Sequence, residues 1–167
     1  MAAVDIPRVE TRRLLLREWR ADDLDPYAAI CADPEVTRFL GGPVSRADAW
    51  RDMAMGVGHW LLNGYGQWVL ERREDNRKIG RAGLWQPEGW PGLEVGWVLA
   101  RDAWGSGYAT EAGRASREWA RDELGTGELI SIIAVENAAS RRVAERLGMA
   151  VGEEREFRGQ RVAIYAG

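Results

Sequence analysis

A strand that is apolar on both faces must be covered on both, and the stretch Leu93–Ala100 (LEVGWVLA) is of that kind. It belongs at the centre of a sheet. It runs directly into RDAWGSGYATEAG, Arg101–Gly113, where Gly105, Ser106 and Gly107 precede a helix that begins near Tyr108. Glycines at such a corner let the backbone take positive φ and bring a ligand close to bare N–H groups. The first N–H groups of the helix lack intrahelical partners and lie at the positive end of its dipole. The stretch is therefore either a seat for a phosphate or pyrophosphate, or a plain turn at a helix start. No Lys-Ser/Thr pair follows the glycines, which excludes the loop that holds a nucleoside triphosphate with magnesium. The stretch also lies too late in its unit for a dinucleotide fingerprint.

The remaining pattern surrounds this unit with mixed α/β elements. Arg12–Trp19 reads as a first strand, followed by a short helix opened by Asp22 or Asp23. A helix runs from Ser45, its N-cap, to about Leu62. QWVLERR and KIGRAGLW form a hairpin around EDNR, and LISIIAV (Leu129–Val135) is a second buried strand. Asn137 caps a helix with Ala139, Val143 and Leu147 inward and Gly148 as its stop. Two strands around Arg158-Gly159 close the chain, giving about seven strands and about four helices. There is no internal repeat or long linker, so residues 1–167 read as a single domain. Trp60, Trp68, Trp85, Trp90 and Trp97 lie close enough in sequence to suggest an aromatic-lined cavity.

A net charge of -3 provides no overall basic field for nucleic acid. The lone Cys31 excludes an intramolecular disulfide and a cysteine-rich zinc site, and no metal is expected. The N-terminal stretch lacks the apolar core of a signal peptide and no run is long enough to span a membrane. The expectation is a cytoplasmic protein.

Five segments in order, RLLLREWRADDLDPYAAICADPEVTRFL, IGRAGLW, LEVGWVL, WGSGYATEA and ENAASRRVAERLGM, resemble the GNAT superfamily of N-acetyltransferases, in particular its RimJ/RimL-like branch. The likeness runs over roughly residues 10–165. It implies a GNAT-type acyl-CoA fold with a splayed central pair of strands, and acetyl-CoA as co-substrate. The pantetheine arm would pair with Trp97, Val98 and Leu99, where a mid-strand Gly96 is consistent with a bulge. The pyrophosphate would sit on the N–H groups of Gly105, Ser106, Gly107, Tyr108, Ala109 and Thr110. Trp104 stands where the superfamily usually has Gln or Arg, a feature of the branch. Asn137 would face the cofactor, and Arg142 its adenosine phosphate.

The resemblance implies direct attack of an amine on the thioester. Glu94 shares a strand face with Gly96 and Val98 and is the candidate base, either directly or through water; its alternative is a plain ion pair with an arginine. His59, the only histidine, is the other candidate base. The Val98 N–H would steady the oxyanion. Many relatives protonate the leaving thiolate with a tyrosine, but the matching residue is Ala144, and Ser140 is the branch's substitute. Cys31 is not expected to carry acetyl covalently. The acceptor, a protein N-terminal amine or a small amine, would be read by the variable segment Val44–Tyr65. Family members often form homodimers through edge strands. A non-catalytic acyl-CoA-binding module is the competing reading.

Overall fold

The computed structural model describes residues 5–167; Met1–Val4, part of the stretch read for a leader and of the single domain 1–167, lie outside the described residues. Eight strands form one sheet: β1 (Val9–Glu10), β2 (Leu14–Arg17), β3 (Gln67–Arg72), β4 (Arg77–Trp85), β5 (Glu94–Leu99), β6 (Ile130–Ala134), β7 (Ala150–Phe157) and β8 (Gln160–Ala166). Their order is β1-β2-β3-β4-β5-β6-β8-β7, and only β5 and β6 run parallel. The helices are α1 (Leu24–Ala32), α2 (Arg46–Asn63), α3 (Tyr108–Leu124) and α4 (Ala138–Arg146). The strand beyond the expected seven is β1, two residues long and too short to leave a period-two pattern.

Local chemistry accounts for the boundaries. Ser45 Oγ accepts the Asp48 N–H at 3.1 Å and starts α2, and Asn137 Oδ1 does the same for Ser140 in α4 at 3.2 Å. Arg158 and Gly159, both at positive φ, make the two-residue turn between β7 and β8. Asp23 stands at the N-cap of α1 as expected, but its side chain caps none of that helix's amides. Its carboxylate takes the fully buried Arg17 guanidinium at 2.7 and 2.9 Å, and Glu71 takes the remaining Arg17 Nε at 2.7 Å. Burial alone would lower the Arg17 pKa, but its bonds to Asp23 and Glu71 outweigh burial and hold it raised.

The two faces of the sheet carry different layers. One buries Leu14, Leu16, Trp68, Leu70 and Ala82 with Ala112 and Ala115 of α3, and continues through Leu84, Val95 and Ala120 to Ala144 of α4. On the other face α1 and α2 enclose Tyr27, Cys31, Ala49 and Met53. Trp60, Trp68 and Trp119 meet edge to face at 5.0 to 5.5 Å, so two tryptophans read as cavity lining are core instead. In α4 the inward residue is Ala144, with Val143 and Leu147 half-buried, and Ala139 is exposed rather than inward. Gly96 lies in an unbroken β4–β5 register from Gly80↔Leu99 to Trp85↔Glu94, so the expected bulge is absent. No helix among the described residues is long and apolar enough to cross a membrane.

Arg17→Ala should destabilise the fold by about 3–5 kcal/mol, because it leaves Asp23 buried without its cation. Urea unfolding of the variant against wild type measures this.

Candidate active site

The gap between β5 and β6 opens because their ladder ends after one register pair, Glu94↔Ile130. Ile130 N–H donates to the Leu93 carbonyl at 2.9 Å. The next rung of a parallel ladder would join Ile132 N–H to the Val95 carbonyl. Instead Ile132 N–H donates to Glu94 Oε1 at 3.2 Å, and Ser131 Oγ donates to the Val95 carbonyl at 2.6 Å. Side chains thus satisfy the last rung, and the strands part beyond it.

Alternation along β5 then sorts its backbone groups. Ala100 N–H donates toward β4, to the Ile79 carbonyl at 2.8 Å, while the Leu93 and Val95 carbonyls face β6. Even-numbered residues therefore bond toward β4, and Trp97 and Leu99 turn their amides to the gap. Val98, opposite Arg81, has its N–H on the β4 side. The expectations that the Val98 N–H steadies the oxyanion and that its backbone pairs with the pantetheine arm are corrected by this parity. The Leu99 carbonyl is already taken, by Trp104 Nε1 at 3.0 Å.

At the far end of β5 the chain makes a 3₁₀ turn, Arg101–Ala103, and enters α3 through Gly105 and Gly107, at φ 73° and 82°. Side chains rarely adopt that conformation, so glycine is required there. The N–H groups of Gly105, Ser106, Gly107, Tyr108, Ala109 and Thr110 donate to no backbone carbonyl among the described residues; the first bonded amide of α3 is Glu111, to Gly107. Thr110 Oγ1 is buried and has no hydrogen-bond partner among the described residues. Arg13, just before β2, braces the loop, donating to the Ser106 carbonyl at 2.8 Å and covering the Tyr108 ring at 4.4 Å. Glu111 holds Arg13 and Thr11 in place.

On the α1/α2 face, Glu94 stands at the closed end of the gap. Its Oε2 accepts from Trp90 Nε1 at 2.7 Å, a tryptophan the sequence offered for the cavity but not as a partner of Glu94. Burial pushes the Glu94 carboxyl up to about 7, against the pull of its Trp90 and Ile132 donors. It makes no ion pair with an arginine among the described residues, the alternative weighed from sequence. Beside it an open cleft of about 740 Å³ is lined by α2 residues Met55, His59 and Leu62 and by Trp85, Pro87 and Trp90. Trp85 and Trp90 are the two tryptophans of the expected cavity that line this cleft. His59 is fully engaged: Nδ1 donates to the Tyr65 carbonyl at 2.8 Å and Nε2 accepts the Gln86 N–H at 3.1 Å. Its ring also stacks on Trp85, leaving no free nitrogen for proton transfer. Cys31 is buried under α2, and burial pushes its thiol up, away from the reactive thiolate.

On the α3/α4 face, Trp97 Nε1 donates to Ser140 Oγ at 3.3 Å, bridging β5 and α4 across the gap. Asn137 caps the same helix turn. Arg141 is committed to the Tyr165 hydroxyl and the Val135 carbonyl, whereas Arg142 is exposed and makes no hydrogen bond among the described residues. No cluster of three or more metal-ligating side chains occurs among the described residues.

Comparison with known proteins identifies the family and the fold. Residues 13–150 match the family model of the acetyltransferase (GNAT) domain. The chain is 34% identical over 146 residues to the uncharacterized protein YkkB of Bacillus subtilis, covering 86% of this chain and 85% of that one. The crystal structure of an acetyltransferase from Agrobacterium tumefaciens superposes with a TM-score of 0.88 at 29% identity, over 98% of this chain and 95% of that one. RimL, a ribosomal L7/L12 alpha-N-protein acetyltransferase solved in complex with coenzyme A, shares the fold, with a TM-score of 0.76 at 15% identity over 96% and 97% of the two chains.

Since its folded-state pKa is raised, the Glu94 carboxyl contributes stability that is present below its unfolded pKa and is lost as pH rises through about 7. Glu94→Gln does not titrate. Its stability relative to wild type should therefore improve by ~2 kcal/mol between pH 5 and pH 9, read from urea midpoints.

Proposed function

The chain belongs to the GNAT acetyltransferase family, and we propose that it is an N-acetyltransferase, moving acetyl from acetyl-CoA directly to a primary amine. The observation that carries this reading is the side-chain-terminated gap between β5 and β6, with a carboxyl titrating near 7 at its closed end. Acetyl-CoA supplies an activated acyl carbon and a thiol leaving group. RimL, with the same fold, was solved with coenzyme A.

The residues present fit such a molecule. Trp97 and Leu99 offer backbone groups to an extended amide arm, with Val98 between them lining the strand face. The amides from Gly105 to Thr110 converge on the positive end of α3, where the unpartnered Thr110 Oγ1 adds a hydroxyl for a pyrophosphate. Asn137 borders the gap, and Arg142 is free to meet a further phosphate.

Two groups on opposite faces of β5 divide the proton work. Glu94, ionised above about pH 7, accepts the proton of an ammonium arriving through the α2 cleft. The freed lone pair forms the C–N bond; the C–S bond then breaks with its electrons on sulfur, and the proton shed by the acylated nitrogen balances the one that sulfur gains. Ser140 lies on the leaving-group side, and because its Oγ accepts from Trp97 its own proton remains available to that sulfur. A thiolate of ordinary pKa, roughly 8.5, needs little help, so Ala144 in the tyrosine position leaves turnover feasible. The acceptor is a protein N-terminal amine or a small amine reached past Met55, Trp85 and Trp90.

Wild-type protein with acetyl-CoA and a panel of amines should give thiol release and an acetyl mass gain on at least one amine. Cofactor binding without turnover on any of them would favour a non-catalytic acyl-CoA-binding module. The rate should rise with pH through about 7, and Glu94→Gln should flatten that rise while lowering kcat. Gly107→Leu should weaken acetyl-CoA binding by roughly tenfold or more while the circular dichroism spectrum is retained. Calorimetry measures the affinity, and an unchanged value would remove the loop from the cofactor site.

A further inference from the structure

Gln67, the first residue of β3, lies on the α1/α2 face directly beside Gly96, two strands away. A Cβ placed on Gly96 would have Gln67 Nε2 and Glu94 Oε1 as its nearest neighbours, both at 3.9 Å. The protein's own packing therefore does not demand glycine at position 96; the space above it is unfilled. It is bordered by a hydrogen-bond donor on one side and the carboxyl on the other.

The orientation of the Gln67 amide follows from its other contact. Arg81 Nη1 meets one end of that amide at 2.5 Å, and a guanidinium only donates, so that end is Oε1. The NH2 end must then face Gly96. Arg81 is itself held, its Nε donating to the Tyr27 hydroxyl at 2.8 Å. The Tyr27 hydroxyl in turn donates to Asp52 of α2. Gln67 Nε2 has no acceptor among the described residues, although the rest of the side chain is engaged. The chain Asp52–Tyr27–Arg81 thus locks a donor that no described residue uses.

We propose that Gln67 Nε2 is the side-chain oxyanion donor of the acetyl transfer, aimed by Arg81 as a positioning residue; this rests on the acetyltransferase reading above. An acyl carbon placed over Gly96 has Glu94 beside it to take the amine proton. Negative charge gathers on its oxygen as the C–N bond forms, before the C–S electrons leave with sulfur, and the Gln67 N–H meets that oxygen. This is the role expected of Val98 from the sequence, whose amide instead faces β4. The inference also gives Gly96 a reason: any side chain there would occupy the acyl position.

Gln67→Glu keeps a partner for Arg81 and removes the donor; Gln67→Met removes both polar ends, and either variant carries the test if the other fails to fold. Removing the donor should lower kcat roughly 10²-fold, with the KM for acetyl-CoA rising by no more than about fivefold. A second readout is independent of turnover. The wild-type preference for acetyl-CoA over CoA, which lacks the acyl oxygen, should fall about fivefold in calorimetric titrations of the variants. A wild-type value for either quantity overturns the proposal. Absence of turnover by the wild-type protein on every amine is a distinct outcome, visible before any variant is made, and overturns the acetyltransferase reading together with this one.

Discussion

Between β5 and β6 the parallel ladder lasts for a single register pair, and the rung that should follow is made by side chains. Unpaired backbone groups inside a sheet cost free energy, so two strands cannot separate unless something satisfies the last donor and acceptor. Glu94 takes the Ile132 N–H and Ser131 supplies the Val95 carbonyl, each within hydrogen-bond reach. The separation is thereby stabilised on its own terms. Helix α3 lies across both half-sheets, packing Ala112 and Ala115 on one and Ala120 on the other, and ties them together despite the gap.

That arrangement gives one residue two tasks. Glu94 ends the ladder with Oε1 and, half-buried there beside Trp90, has its carboxyl pushed up by desolvation to about 7. The desolvation that accompanies a strand terminus inside a sheet is the same desolvation that suits a carboxyl to exchange a proton near neutral pH. The division of β5 into two faces has a similar economy. Even-numbered side chains meet Gln67, Arg81 and the α2 cleft, odd-numbered ones meet α3 and Ser140, and the proposed proton donor and acceptor stand on opposite sides of one strand.

Much of this was legible in the sequence where the chemistry is local. Period-two apolarity located β5 and β6, Ser45 and Asn137 announced the helix starts they cap, and Gly105 and Gly107 mark a corner of positive φ. The misreadings share a cause. Counting tryptophans along the chain grouped Trp60 and Trp68 with Trp85 and Trp90, yet the first pair faces α3 and the second lines the cleft. The Gly96 bulge was inferred from a residue type whose conformation is ordinary; the unfilled space lies above the residue rather than in its backbone. Gln67 carried no signal, because its meaning comes from Arg81 and Gly96 on neighbouring strands.

By itself, the sequence determined the order of elements, the glycine corner at the head of α3 and the family, because each is encoded in contiguous residues whose conformational preferences act at short range. Only the tertiary structure decided which backbone amides face the gap, that both nitrogens of His59 are occupied, and that Glu94 is desolvated with no arginine ion pair among the described residues. These depend on strand register and on groups far apart in the chain. Register sets the direction of every amide, and burial sets the proton affinity of every carboxyl, and neither is a property of a residue and its neighbours in sequence.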